Sequence, residues 1–308
     1  MTLQVGLVGC GRWGKHILRD LQALGCEVAV ADHNEQARSH ALTVGATQVV
    51  SHLDHLPDAQ DGYVVATPTA THVEVVLQLL GRDRPIFCEK PLSNDVAQAR
   101  AIAERAPNQV FLMDKWRYHP GVDALRQVAQ SGQLGAIQQV QTRRVQWGNP
   151  HRDVDGVWVL APHDLAIVQH ILGEIPPPRA AVGHGTPDQM DGVVALLGDR
   201  PAAIIEVSTR QPVNSRLISV AGADAVAVLD DPLASAIQVF QNGCAEPDYI
   251  SISTEFPLLR ELRVFCEFLQ GGAPPLTNAV EATRMVEAIA SIRQLAQPLR
   301  AEPPSLSR

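Results

Sequence analysis

Cysteine is sparse in this chain. Five occur in 308 residues, Cys10, Cys26, Cys88, Cys244 and Cys266, widely spaced and each within an apolar segment. An odd, scattered set argues against a disulfide framework and against a structural zinc site, so buried thiols and no metal are expected. Runs of lysine and arginine are missing too. With a formal net charge of -8, the chain lacks the electrostatic footprint that nucleic acid or an anionic membrane would need, and a small-molecule partner is expected. No apolar stretch reaches the ~20 residues of a membrane span. The first residues begin a strand-like pattern without the charged and apolar regions of a secretory leader, which predicts a cytoplasmic protein. There is no internal repeat, and low complexity is confined to a tail after Gln297 that is expected to fray.

What is present suits a globular enzyme: 45% hydrophobic and 19% charged residues, in a length that favours two domains with a cleft between them. Apolar runs at Leu3 to Gly9, Cys26 to Ala31, Tyr63 to Ala66, Ile86 to Cys88 and Val110 to Met113 alternate with helical patterns. One helical face carries Gly14, Ile17, Leu18, Leu21 and Leu24. Another carries Val73, Val76, Leu77 and Leu80, with a capping box from Thr71 to Glu74, and Ser93 is placed to cap a third helix. Strand and helix in alternation predict a parallel, doubly wound sheet with its ligand at the carboxyl ends of the strands.

Beyond Pro120 the pattern changes. A helix at Val122 to Gln130 is followed by strand-like runs at Ile137 to Trp147, Val193 to Leu197, Ala202 to Thr209, Leu217 to Ala221, Ala225 to Leu229 and Ile237 to Gln241. A helix at His163 to Leu172, closed by Gly173, interrupts them, and two more near Pro257 to Leu269 and Ala279 to Ala296 end the chain. The expectation is α/β plus α+β: a Rossmann domain over residues 1–118 and an open, mostly antiparallel sheet domain over 119–308.

Gly9-Cys10-Gly11-Arg12-Trp13-Gly14 has the G-x-G-x-x-G spacing, in which the first glycine turns the chain, the second lets backbone amides approach a pyrophosphate, and the third packs helix on strand. Three glycines also serve a plain tight turn. Position favours the dinucleotide reading, because the motif opens a helix directly after the first strand and Asp32 ends the second. A carboxylate there accepts from the adenosine ribose hydroxyls and repels a 2'-phosphate, favouring NAD over NADP; a helix cap is the alternative for Asp32. Thr67-Pro68 and Glu89-Lys90-Pro91 follow two further strands at the ligand-facing edge, where a lysine can donate to a substrate hydroxyl or carbonyl. From spacing alone, an exposed lysine beside a carboxylate before a proline-fixed turn would be the default.

GCGRWG, ATPTATH, CEKPL and the strand-rich second half together resemble the Gfo/Idh/MocA oxidoreductases over nearly the whole chain. That resemblance implies a Rossmann domain followed by an open sheet through which homodimers or homotetramers form. It makes Lys90 a catalytic residue touching cofactor and substrate, and places Gly9, Gly11, Arg12, Trp13, Gly14, Asp32, Thr67, Pro68, His72, Glu89 and Lys90 around NAD. Relatives carry an Asp-x-x-x-His pair in the second domain. Here His163 matches the histidine, a suitable base for a sugar hydroxyl, but Val159 stands at the aspartate position. Asp164 lies roughly 100 degrees around the helix and cannot replace it. Arg117, with Tyr118 and His119, lies where the chain crosses between domains and is a substrate-binding candidate beside Lys90 and His163. Arg143, Arg144, Trp147, His151, Arg152 and Asp153 form a polar stretch suited to an extended or anionic substrate.

The implied activity is an NAD(P)-dependent oxidoreductase acting on CH-OH groups, with NAD the expected cofactor and a sugar, inositol or nucleotide-linked sugar the substrate. Two alternatives remain: a dinucleotide-sensing regulator without turnover, and a dehydrogenase of a non-sugar diol or imine.

Overall fold

The structure is a computed structural model that describes residues 2–151 and 153–296; Arg152 and the tail after Gln297 lie outside the described residues. Contacts divide the chain into two compact units. The first takes the residues up to Asp123 together with Ser253–Glu287, and the second takes Ala124–Ile252 and the residues from Ala288 on. A single boundary near residue 118 does not describe this partition, because the chain returns to the first unit after completing the second sheet.

In the first unit, β1 (Gln4–Val8), α1 (Gly14–Ala23), β2 (Glu27–Ala31), α2 (Glu35–Thr43), β3 (Gln48–Val50), β4 (Gly62–Val65), α3 (His72–Leu80), β5 (Ile86–Glu89), α4 (Val96–Arg105) and β6 (Val110–Met113) build one sheet of order β3-β2-β1-β4-β5-β6. All of its pairings are parallel. This is the doubly wound order, whose reversal between β1 and β4 opens a ligand crevice at the carboxyl ends. Leu7, Val30, Val64 and Phe87 are buried in its strands, and Ile17, Leu18 and Leu21 of α1 cover one face.

Three local expectations are corrected. Thr71 makes no side-chain cap, its hydroxyl donating to the Pro68 carbonyl at 2.8 Å instead, so the capping box is absent. The buried stripe of α3 is His72, Val75, Val76 and Leu79, while Leu77 is exposed. Asp95, not Ser93, caps α4, accepting from the Gln98 amide at 3.0 Å; Ser93 Oγ accepts from the Asp95 amide.

The returning segment supplies α7 (Pro257–Leu269) and the start of α8 (Ala279–Leu295). Leu258, Leu262, Phe265 and Cys266 of α7 join the core, and Phe265 stacks on Phe87 with centroids 4.9 Å apart. Cys26 and Cys266 approach to 3.4 Å between sulfurs. Four cysteines are buried as expected, but Cys244 is exposed.

The second unit holds α5 from Ala124, where the helix spans Pro120–Ser131, and an eight-stranded sheet of order β14-β13-β12-β11-β7-β10-β9-β8. Its strands are β7 (Ile137–Trp147), β8 (Pro178–Gly185), β9 (Met190–Leu197), β10 (Ala202–Ser208), β11 (Arg210–Gly222), β12 (Ala225–Leu229), β13 (Ala236–Gln241) and β14 (Asp248–Ser251). Every pairing is antiparallel except β7 with β10. Strands β3, β8 and β14 carry no strong hydrophobic pattern and escape a reading of the sequence. No described helix is long and apolar enough to cross a membrane.

Helix α6 (Gly156–Leu172) packs on β7, β9 and β10 and begins two turns earlier than its periodicity suggests. Asp155 sets that start: Oδ1 accepts from the amides of Val157 and Trp158 at 3.2 Å, and Oδ2 accepts from the Met190 amide and from Arg293. Gly173, at φ +86°, ends the helix. Arg144 on β7 donates through Nε to Asp164 Oδ2 at 2.6 Å, and the two side chains are 5% and 1% exposed. Burial lifts the Asp164 carboxyl above its ordinary range, while Arg144 and the more distant Arg216 pull it down. Breaking a buried ion pair from one side strands the other charge. Asp164→Asn is therefore expected to cost about 3–5 kcal/mol in urea denaturation near neutral pH, and a loss within experimental scatter would show that Arg144 is satisfied without it.

Candidate active site

The turn after β1 is shaped by what cannot stand there. Gly9 sits at φ +93°, and a Cβ on it would approach the Ala66 carbonyl oxygen to 2.7 Å. A Cβ on Gly14 would collide with the Gly9 carbonyl, whereas one on Gly11 would meet nothing within 4 Å. The space over Gly11 thus lies open at the start of α1, a helix end that no side chain caps. Asp32 closes the turn from β2: Oδ2 accepts from the Cys10 amide at 2.7 Å and Oδ1 from the Asn34 amide at 2.8 Å. Asn34 caps α2, and Arg38 donates to the carbonyls of Asp32 and His33 at 2.9 and 2.8 Å. Burial, then the Asp32 carboxylate, pushes the Cys10 thiol up to about 11, leaving it neutral.

At the neighbouring strand ends, His72 acts as a strut. Its Nδ1 lies 2.8 Å from the Pro91 carbonyl and its Nε2 2.9 Å from that of Thr67, so one buried ring ties the segment after β4 to the segment after β5. Thr67 Oγ1 is buried without a hydrogen-bond partner, a free polar atom of the kind that ligand sites leave at their walls. Lys90, half-buried, follows directly on β5 and precedes Pro91 through a cis peptide.

Glu89 joins the turn to the lysine. Its Oε1 accepts from the Trp13 indole N–H and its Oε2 from the Lys90 amide at 3.2 Å. Burial raises the Glu89 carboxyl, and Lys90, Lys115 and the indole draw it back. Lys115, two residues past the end of β6, places Nζ 4.3 Å from the centroid of the Trp13 ring. Beside it Asp114 accepts from the Thr277 hydroxyl at 3.1 Å, but its other oxygen is buried and unpartnered, as is one oxygen of Glu261 on α7. Burial pushes Asp114 to about 7 and Glu261 well above its usual range.

The crossover residues are committed locally. Arg117 Nη1 donates to the Leu276 carbonyl at 2.7 Å, to Thr277 Oγ1 at 2.8 Å and to Glu281 at 3.2 Å; the Tyr118 hydroxyl accepts from the Leu276 amide at 2.8 Å. His119 Nδ1 accepts from the Gly121 amide at 3.1 Å and its ring stacks on Trp116.

In the second unit, His163 is half-buried beside Pro162 within α6 rather than at its first turn, and Val159 is 5% exposed. Arg144 is spent on Asp164, Arg143 pairs with Glu206 at 3.0 Å, His151 lies 3.8 Å from Asp153, and Trp147 is exposed.

The sequence reading missed Asp114, Lys115 and Glu261. The first two lie where Thr67 and Lys90 do, just past a strand's carboxyl end, and that rule applied to β6 would have found them. Glu261 has no such signal, because only tertiary packing brings α7 to this edge.

The open turn at Gly11, the uncapped helix start, the acceptors of Asp32 and the free Thr67 hydroxyl together fit a dinucleotide. Residues 3–112 match the model of the oxidoreductase family with an NAD-binding Rossmann fold. An inositol 2-dehydrogenase of Ralstonia nicotianae is 27% identical over 306 residues, covering 89% of this chain and 88% of the relative. The chain spans only about half of another, inositol 2-dehydrogenase 2 of Saccharopolyspora erythraea: 28% identity over 188 residues, 56% of this chain and 55% of the relative. Among solved structures, a UDP-N-acetylglucosamine 3-dehydrogenase from Acidithiobacillus ferrooxidans aligns with TM-score 0.84 at 21% identity over 96% of this chain and 98% of that one. A levoglucosan dehydrogenase complexed with NADH aligns with TM-score 0.85 at 15% identity, over 96% and 97%; both likenesses are of fold. Motif, topology and match converge on the first unit: residues 3–112 carry the NAD-binding Rossmann fold of the Gfo/Idh/MocA family of oxidoreductases.

Proposed function

We propose that this protein is an NAD-dependent dehydrogenase of ring secondary alcohols, working on an inositol, a sugar or a nucleotide-linked sugar. The observation that carries the reading is Lys90 at the end of β5, joined through Glu89 and Trp13 to the glycine turn whose space over Gly11 is open. NAD, when bound, supplies the hydride acceptor and its reduced form the donor. The Lys90 ε-amino group takes the hydroxyl proton on oxidation and returns it on reduction, and His163 is the second proton-handling group, held on α6. Asp32 selects the cofactor by accepting from the adenosine ribose and repelling a 2'-phosphate. Arg117 orders the chain after β6 through Nη1, which donates to Leu276, Thr277 and Glu281, while its Nε is buried without a partner. The relatives named for inositol and for UDP-N-acetylglucosamine support the substrate class. Outward valines and leucine on the second sheet, Val182, Val194 and Leu196, support assembly with further copies of the chain.

Incubation with NAD and a panel of myo-inositol, levoglucosan and UDP-N-acetylglucosamine, followed by the absorbance of the reduced nicotinamide, tests the activity. NADH binding with no turnover across a wide polyol panel would leave a dinucleotide sensor instead. By calorimetry NAD(H) should bind at least ~10-fold more tightly than NADP(H), a gap of about 1.4 kcal/mol. Asp32→Asn, which keeps an acceptor for the Cys10 amide, should narrow that gap; equal affinities in the unmodified protein would remove the role. Lys90→Met should lower turnover by ~100-fold or more with NADH affinity held within a few-fold. His163→Asn should cost at least ~10-fold and delete a near-neutral limb of the pH-rate profile; an unchanged profile would leave Lys90 as the sole proton carrier.

A further inference from the structure

Of the 25 lysine and arginine residues, only three are lysine: Lys15, Lys90 and Lys115. A chain that meets nearly all its needs for positive charge with arginine keeps two of its three lysines around one carboxylate. Lys90 follows β5 and Lys115 follows β6, adjacent strands of the parallel sheet. The Lys115 ammonium sits over the Trp13 indole, Nζ 4.3 Å from the ring centroid, and that indole donates to Glu89, whose other oxygen receives the Lys90 amide. Both lysines therefore act on Glu89 electrostatically.

A carboxylate beside a lone lysine would hold its proton tightly, which ill suits a group that must release one in each cycle. A second cation at the same carboxylate opposes that hold. We propose that Lys115 is a positioning residue for Lys90: its ammonium, seated on Trp13 and facing Glu89, weakens the grip of Glu89 on the Lys90 ammonium, so that Lys90 yields its proton more readily. Other charges bear on the balance. Asp114 and Arg117 face it from the turn after β6, with the Tyr118 hydroxyl behind them, and Glu261 faces it from α7. Burial lifts both the Glu261 and the Asp114 carboxyls above their ordinary range, so neither opposes Lys115 as fully as a solvated carboxylate would.

The proposal rests on Lys90 as the proton-handling group, and its test needs no substrate. Protein labelled with [13Cε]lysine gives three side-chain signals, one per lysine, with Lys15 on the exposed first turn of α1 as internal reference. Single Lys→Arg variants assign them. In an NMR titration of the full chain, Lys115→Met should raise the midpoint of Lys90 by about one pH unit, the size expected for removal of a like charge at a partly buried site. Lys115→Arg, which restores the charge, should return it to within ~0.3 unit. Lys115→Gln serves if the methionine variant fails to fold, as judged by the Lys15 signal and circular dichroism. A Lys90 midpoint that stays put in the neutral variants, or that moves equally in Lys115→Arg, overturns the proposal. Failure of the reading it rests on shows elsewhere: no turnover of any polyol by the unmodified protein removes the dehydrogenase, and a Lys90→Met protein that still turns over removes Lys90 as proton carrier, so the failures are distinguishable.

Discussion

The close approach of the β1 turn to the backbone after β4 is the constraint on which the site depends. With Gly9 nearly touching the Ala66 carbonyl and Gly14 nearly touching Gly9, the turn has no room for side chains on its inner side, and α1 must leave the sheet at one angle. That angle aims an uncapped helix start over the sheet edge and places Trp13 where its indole reaches Glu89. The second strand locks the same turn, since Asp32 spends hydrogen bonds on Cys10 and Asn34. A residue that reads as a ribose-binding carboxylate is thus also a structural bracket, which is why an amide is the cleaner substitution there.

From this bracket outward the site is an exercise in charge balance. Glu89, Asp114 and Glu261 share a desolvated region, and burial raises all three carboxyls above their ordinary range. Two lysines and Arg117 oppose that rise. Unpartnered oxygens on Asp114 and Glu261 are costly where nothing hydrogen-bonds to them, and such costs concentrate at functional sites. The second unit solves its own polar burial differently. Asp155 satisfies two helix amides, a strand amide and Arg293, and the Arg144–Asp164 ion pair pins α6 to β7. These paired charges serve order, whereas the cluster in the first unit keeps carboxyl oxygens without partners.

Residue order alone determined a good deal. Alternation of buried runs with helical periods announced the parallel sheet, because both faces of its strands are covered and only apolar residues suffice there. The tight turn at Gly9 and Gly14 was legible for a steric reason, since a side chain at either would collide with backbone. Lys90, Thr67 and His72 were legible from their place after strands. Short edge strands β3, β8 and β14 were not, since their residues are neither strongly alternating nor apolar and the ladder alone fixes them. Nor was the true start of α6, set by the cap at Asp155 rather than by periodicity in a helix buried nearly all round.

Tertiary structure decided what each charged group is free to do. Arg117 and Arg144 look like ligand-binding arginines in the sequence and are bonded instead to carbonyls and carboxylates elsewhere in the chain, Arg117 through Nη1 and Arg144 through Nε. Lys115 and Glu261 look like ordinary surface charges and lie instead beside Glu89. Hydrogen bonds and Coulomb interactions depend on distance in space, and sequence separation carries almost no information about it once the chain leaves the first unit, builds a second sheet and returns as α7.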